Sequence, residues 1–232
     1  MHTEHPDKFA SFYTKDILDF DLKLVEYGYN SYRPYFKGTI CLELGPATGY
    51  MTRYLVNDFE KITAVEGAKE LLDQITEHEK LIKVHALFEE FEPAQKYDTI
   101  VMNHVLEHIK EPVALLKRIK TWLADDGVFI VGVPNAKSFH RLAAVKMGLI
   151  ETESQLNDRD ISLGHYRVYD SDLLQQHLSE ANFTTVAKGG IFLKFLSNGQ
   201  IEKFFTPEMV AAYYQLGKSF QDNCAEIFIV AE

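Results

Sequence analysis

Glu43-Leu44-Gly45-Pro46-Ala47-Thr48-Gly49 places two glycines and a carboxylate in one turn, between a short apolar run (Thr39 to Leu44) and a stretch with helical spacing of apolar groups. Glycine there lets the backbone adopt left-handed dihedrals and come close to a ligand. Open α/β folds bind ligands beyond the carboxyl ends of their strands, so this boundary is where a nucleotide-like molecule would sit. It does not match the dinucleotide fingerprint Gly-x-Gly-x-x-Gly. Ala47 stands where the second glycine belongs, and Glu43 would repel a pyrophosphate, which argues against a nicotinamide-dependent oxidoreductase. The same carboxylate suits a cationic ligand, such as a sulfonium carrying an amino-acid head group. Glu66 comes a little over twenty residues later at the end of a second apolar run, where an acid accepts hydrogen bonds from both ribose hydroxyls.

A second constellation is His104-Val105-Leu106-Glu107-His108, which matches the H-x-x-E-H pattern of inverted zinc peptidases. That chemistry needs both histidines on one helical face with a further ligand. Here His104 directly follows the apolar run Thr99 to Met102, so it falls at a strand end, and no metal site is expected. His104 then borders the ligand, and His108 anchors the loop or the following helix by hydrogen bonds. A third group, Gly164 to Tyr169, precedes a helix capped by Asp170 or Ser171. His165 can take a proton near neutral pH. Arg167 can orient a carboxylate or phosphate. Both residues can equally serve loop backbone, and His140 is a further candidate base.

Elements that alternate strand and helix must position these groups. Thr39 to Leu44, Lys61 to Val65, Leu81 to Ala86, Tyr97 to Met102 and Val128 to Val133 read as strands. Their apolar residues are consecutive, as expected where helices cover both faces of a parallel sheet. Helical patterns lie over Tyr50 to Phe59, Ala68 to Thr76, and from Pro112 through Leu123, with Pro112 in the first turn where it costs no hydrogen bond. Asp125-Asp126-Gly127 reads as a turn. The pattern predicts a Rossmann-like, doubly wound α/β fold with right-handed crossovers. After Pro134 the rhythm breaks. Residues 135–165 are long for a connection, and such loops in compact domains are usually functional. Beyond them lie a helix over Ser171 to Glu180 and strands near Thr184 to Ala187 and Glu226 to Val230, separated by a helical block at Pro207 to Leu216. Residues 135–165 and 188–224 are expected to cap a substrate, and residues 1–38, rich in Tyr and Phe, to form a helical lead-in or lid.

The composition of the 232 residues suits one soluble domain. The net charge of −10 argues against a nucleic-acid partner. No apolar run is long enough for a membrane span, and the polar N-terminus has no signal-peptide core, so a cytoplasmic location is expected. Cys41 and Cys224 sit in apolar, β-rich runs and read as small buried hydrophobes. A small-molecule acceptor and a monomer or homodimer are the resulting expectations.

Taken together, the turn at 43–49, Glu66, and Tyr97 through Ile109 with its Leu-Glu-His-Ile signature resemble the class I S-adenosylmethionine-dependent methyltransferases, in particular their small-molecule branch. The resemblance covers residues 39–135. It implies a seven-stranded sheet with the last strand antiparallel and helices on both faces. It also implies S-adenosylmethionine as cofactor. Glu43, Gly45 and Gly49, with Pro46 and Ala47 between the glycines, would cradle the methionine part, and Glu66 would hold the ribose. Leu87 and Phe88 would flank adenine, while Asn103 and His104 would line the methionine end. In related methyltransferases a His-x-Arg-x-aromatic segment such as His165 to Tyr169 lies near the active site. Gly189 to Lys194 resembles stretches in methyltransferases of sugar and surface-polysaccharide pathways, which implies O-methylation of a sugar-like hydroxyl. The rival reading is a non-catalytic S-adenosylmethionine-binding regulatory module, which binds the cofactor but does not turn it over.

Overall fold

The computed structural model describes residues 20–232. Strands β1 (Ile40–Leu44), β2 (Lys61–Glu66), β3 (Leu81–His85), β4 (Tyr97–Asn103), β5 (Leu123–Pro134), β6 (Thr185–Ile191) and β7 (Glu226–Ala231) form one sheet in the order β3-β2-β1-β4-β5-β7-β6. Pairings from β3 through β5 are parallel. β7 runs antiparallel to both β5 and β6, as the family resemblance implies.

Alternate residues of the central strands face opposite ways, and each set enters a separate hydrophobic cluster. Leu42, Leu44, Ile100, Met102, Phe129, Val131 and Ile229 join one, which is covered by α4 (Pro112–Trp122) and α7 (Ser171–Glu180) through Leu115, Leu116, Ile119, Leu174 and Leu178. Cys41, Val101, Ile130, Phe228 and Val230 join the other. That face is covered by α1 (Phe20–Tyr32) and α9 (Pro207–Gly217), where Tyr27 stacks on Tyr214 with ring centroids 4.0 Å apart. The buried cysteines are free thiols, and burial pushes both well above their ordinary range, Cys224 to about 12.

Several boundaries differ from the sequence expectation. The helix expected over Tyr50 to Phe59 is α2 (Thr52–Leu55) with turns after it, because the Asn57 amide donates to the carbonyls of Arg53 and Tyr54 and ends the helix there. The next helix contracts to α3 (Lys69–Leu72). The Asp125-Asp126-Gly127 turn lies inside β5 as a bulge: Leu123 pairs with Tyr97 and Val128 with Thr99, so residues 124–127 loop out against Asp98. The block expected to cap the substrate from residue 188 begins later, since residues 185–191 are the edge strand β6. Helices α8 (Asn198–Phe204) and α9 make up the remainder of that block. The earlier block holds α5 (Phe139–Lys146) and α6 (Asp158–Ser162). The lead-in is helical over Phe20–Tyr32 and lies on the sheet, its first residue donating from the backbone to Glu202 of α8. Residues 1–19 of the expected lead-in lie outside the described residues. No helix among those described is long and apolar enough to cross a membrane.

Candidate functional site

The turn after β1 is left-handed at three places: Gly45 (φ 73°), Ala47 (φ 49°) and Gly49 (φ 81°). At Gly45 a side chain is excluded twice over, by the dihedral and because a Cβ would lie 2.3 Å from Val105 Cγ2. The backbone nitrogen of Gly45 donates to Val65, holding the turn against β2. Glu66, at the end of β2, accepts from the nitrogens of Ala47 at 3.1 Å and Ala68 at 2.9 Å. Burial raises its pKa, and those backbone donors pull it part of the way back. Beneath the turn, Glu43 is buried and accepts from the Thr52 hydroxyl at 2.6 Å. Burial pushes it up to about 7, with the charge of Glu66 adding to the rise, so a cation nearby would restore its ionised form. Leu87 and Phe88 come half-buried after β3, with Phe88 beside Gly45. Left-handed backbone, converging N–H groups and two acids fit a nucleoside bearing a positive charge. They do not fit a pyrophosphate.

On the neighbouring strand end, the Asn103 carboxamide oxygen accepts from the buried Tyr32 hydroxyl at 2.6 Å. His104 is itself left-handed (φ 55°) and donates its backbone N–H to Gly132 of β5. Its Nε2 lies 2.8 Å from Glu226 Oε1, and its Nδ1 lies 3.7 Å from Glu107 Oε1. Burial opposes the charge on His104, yet the carboxylates of Glu226 and Glu107 outweigh it and raise the imidazole to about 9. His104 is therefore a cation at neutral pH and a hydrogen-bond donor, not a proton acceptor. Asp21 of α1 and Lys194 after β6 face the same place, since each feels the other's charge and Asp21 feels that of His104. Desolvation brings Lys194 down to about 8. Both oxygens of Glu107, both of Glu226, and His140 Nδ1 are buried without a well-formed hydrogen bond among the described residues. Sequence reasoning missed Glu226, although a lone acid opening the apolar strand Glu226–Ala231 was a signal.

The segment 165–169 is strapped along the loop after β4. Tyr166 donates its N–H to the Glu107 carbonyl, and the Arg167 guanidinium donates to the carbonyls of Leu106, Ile109 and Lys110. Three of the five Arg167 donors thus go to backbone, the alternative to orienting an anionic group. His165 lies between Asp160 and His108. Its Nδ1 is 3.4 Å from Asp160 Oδ1, and its ring stands edge-to-face on His108 with centroids 4.6 Å apart. His108 lies beside the Gly164 carbonyl, and burial lowers its pKa. His140, the other candidate base, is lowered to about 3 by burial and by Lys194 and Arg141. It stays neutral.

Asp160 is held in turn by Arg141, whose Nη1 lies 3.0 Å from Oδ2 while its Nε and Nη2 reach the carbonyls of Glu153 and Gln155. Burial opposes the charge on Asp160, but His165, the Asn157 backbone and Arg141 lower it to about 2. Arg141 therefore ties α5 to residues 153–160. Arg141→Met is expected to cost about 3 kcal/mol, because it takes the guanidinium from a buried carboxylate and leaves only His165 and the Asn157 backbone against it. Urea unfolding and limited proteolysis check this, with new cleavage expected within residues 151–165. An unchanged unfolding midpoint would show that the pair contributes nothing.

A family model described as a methyltransferase domain matches residues 24–188. The malonyl-[acyl-carrier protein] O-methyltransferase of Halalkalibacterium halodurans is 24% identical over 132 residues, covering 50% of this chain and 49% of that protein. The (S)-coclaurine N-methyltransferase of Thalictrum flavum subsp. glaucum is 29% identical over 102 residues, covering 40% of this chain and 28% of that one. The chain thus spans half or less of the length of these curated relatives. An S-adenosylmethionine-dependent methyltransferase structure from Thermotoga maritima superposes with TM-score 0.70 at 15% identity, covering 99% of each chain, and so shares the fold. With the family model spanning most of the chain and the fold in agreement, the protein belongs to the methyltransferase-domain family of class I S-adenosylmethionine-dependent methyltransferases.

Proposed function

We propose that this protein transfers the methyl group of S-adenosylmethionine to a hydroxyl of a small, polar, sugar-like molecule. Glu66 would hold the ribose and Glu43 the charged methionine end. The turn from Gly45 through Pro46 and Ala47 to Gly49 lies against it, Leu87 and Phe88 flank adenine, and Asn103 and His104 border the sulfur. Bound there, S-adenosylmethionine supplies a methyl carbon on a positively charged sulfur. The acceptor oxygen bonds to that carbon as the carbon–sulfur bond breaks, and its electron pair stays on sulfur to give S-adenosylhomocysteine. The chain's own task is to align the acceptor, exclude water and receive the hydroxyl proton. The pair Asp160–His165, beside His108, is arranged to take that proton, and His104 to donate to a second acceptor oxygen. The blocks 135–165 and 192–224 with α1 would enclose the acceptor.

The observation that carries this reading is the pair of buried carboxylates, Glu107 and Glu226, left short of donors at the strand ends. Carboxylates only accept, so burying them demands donors, and a polyhydroxyl molecule brings several. An amine acceptor is the second reading, favoured by the surplus of acids there.

Release of S-adenosylhomocysteine against a panel of sugars, polyols and amines tests the proposal. Turnover is expected with hydroxyl acceptors. His165→Ala is expected to lower it about 100-fold, within the range for general acid–base groups, with cofactor affinity unchanged by calorimetry. Turnover on amines alone would establish the second reading. Cofactor binding without turnover on any acceptor would instead make the protein a regulatory module.

A further inference from the structure

We propose that Glu107, His108 and His165 form a binding site for one first-row divalent transition-metal ion. Their ligand atoms lie within 4.8 Å of one another. Ligand atoms about 2.1 Å from one ion in a tetrahedral or facial set stand about 3.0–3.4 Å apart, so the group closes by up to roughly 1.4–1.8 Å, within the reach of side-chain torsions. Glu107 supplies the independent sign of a missing partner. It is 1% exposed and neither carboxylate oxygen is hydrogen-bonded, its nearest cation being His104 Nδ1 at 3.7 Å. A buried carboxylate of this kind is strongly disfavoured unless something positive meets it.

The surrounding shell is built as metal-ligating histidines require, with the outer ring nitrogen of each held by the protein. His165 Nδ1 faces Asp160, which Arg141 fixes, and His108 lies beside the Gly164 carbonyl. Both contacts leave the remaining nitrogen of each ring for the cluster. The backbone enforces the meeting of residues far apart in sequence, through Tyr166 N–H to the Glu107 carbonyl and the Arg167 clamp on residues 106–110. The donor set is not the linear H-x-x-E-H of the sequence. His104 turns its Nε2 to Glu226, and His165 takes the third position. Two imidazoles and one carboxylate suit manganese, cobalt or zinc better than magnesium or calcium, which favour all-oxygen shells. Three protein ligands leave positions open for oxygens of water or of a bound small molecule. The inference does not depend on which acceptor is methylated, but it is an alternative to His165 as proton acceptor and to a hydroxyl on Glu107, because a nitrogen or oxygen bound to an ion cannot also serve there.

The test is titration of the chelator-stripped, full-length protein with cobalt(II), read by calorimetry and by visible absorption. One equivalent per chain is expected, with absorption bands in the visible and a rise in melting temperature. Glu107→Gln keeps the shape and removes the charge that lacks a partner, so it should fold at least as well as wild type while losing cobalt affinity about 100-fold. His165→Ala is expected to lose as much, and Asp160→Asn about 10-fold through the orientation of His165. No saturable binding below millimolar cobalt would overturn the site, as would full affinity in Glu107→Gln.

Discussion

Replacing Glu66 by alanine is expected to weaken S-adenosylmethionine binding about 100-fold, equivalent to about 2.7 kcal/mol. The carboxylate stands at the end of β2 with both oxygens turned to the ligand side of the β1 turn, where they accept from Ala47 and Ala68. A ribose placed there would donate two hydroxyls to a charged acceptor, and such bonds contribute about 1.5–3 kcal/mol each before the cost of displaced partners. The backbone contacts lower the net gain but fix the carboxylate in advance, so little rotamer freedom is lost on binding. Glu66→Gln retains one acceptor oxygen and is expected to weaken binding about 10-fold. Isothermal calorimetry with S-adenosylmethionine reads both. An alanine variant within twofold of wild type would remove Glu66 from the cofactor site.

Glu66 was visible in the sequence because everything that gives it meaning is local: an apolar strand, a terminal acid, and a glycine turn one βα unit earlier. The central strands were legible for a related reason. Residues such as Cys41, Leu42, Ile100, Val101, Phe129 and Ile130 must all be apolar when both faces are covered. Short helices were overestimated, since apolar spacing continues past the point where Asn57 turns the chain. The acceptor side was only half legible. His165 declared itself by residue type, but Glu107 and His108 carry no sign that a loop 58 residues further on will be strapped across them. Arg167 misled for the opposite reason. A guanidinium reads as an anion binder, yet here three of its five donors go to carbonyls of that loop.

Gly132→Ala is expected to destabilise the protein by about 3 kcal/mol, combining overpacking with a broken buried hydrogen bond. Gly132 sits on β5 between Asn103 of β4 and Phe228 of β7. A Cβ there would lie 1.9 Å from the Tyr32 hydroxyl and 2.5 Å from Asn103 Oδ1. Tyr32, fully buried, thus occupies the space that glycine leaves, and its hydroxyl bonds to Asn103 across it. Removing that hydroxyl should relieve most of the clash, because the next tyrosine atom is 3.1 Å away and Asn103 is then free to turn. Tyr32→Phe alone should cost about 1 kcal/mol, while in the Gly132→Ala background it should bring the total cost back to about 1–2 kcal/mol, giving a coupling energy of about 2–3 kcal/mol in urea unfolding. Strict additivity would mean that the two residues do not compete for this space. The effect should also reach the site. His104 follows Asn103 directly and donates its N–H to the Gly132 carbonyl, so a shifted β5 moves the imidazole proposed to border the cofactor. Cofactor affinity should therefore fall with stability in Gly132→Ala and return with it in the double variant.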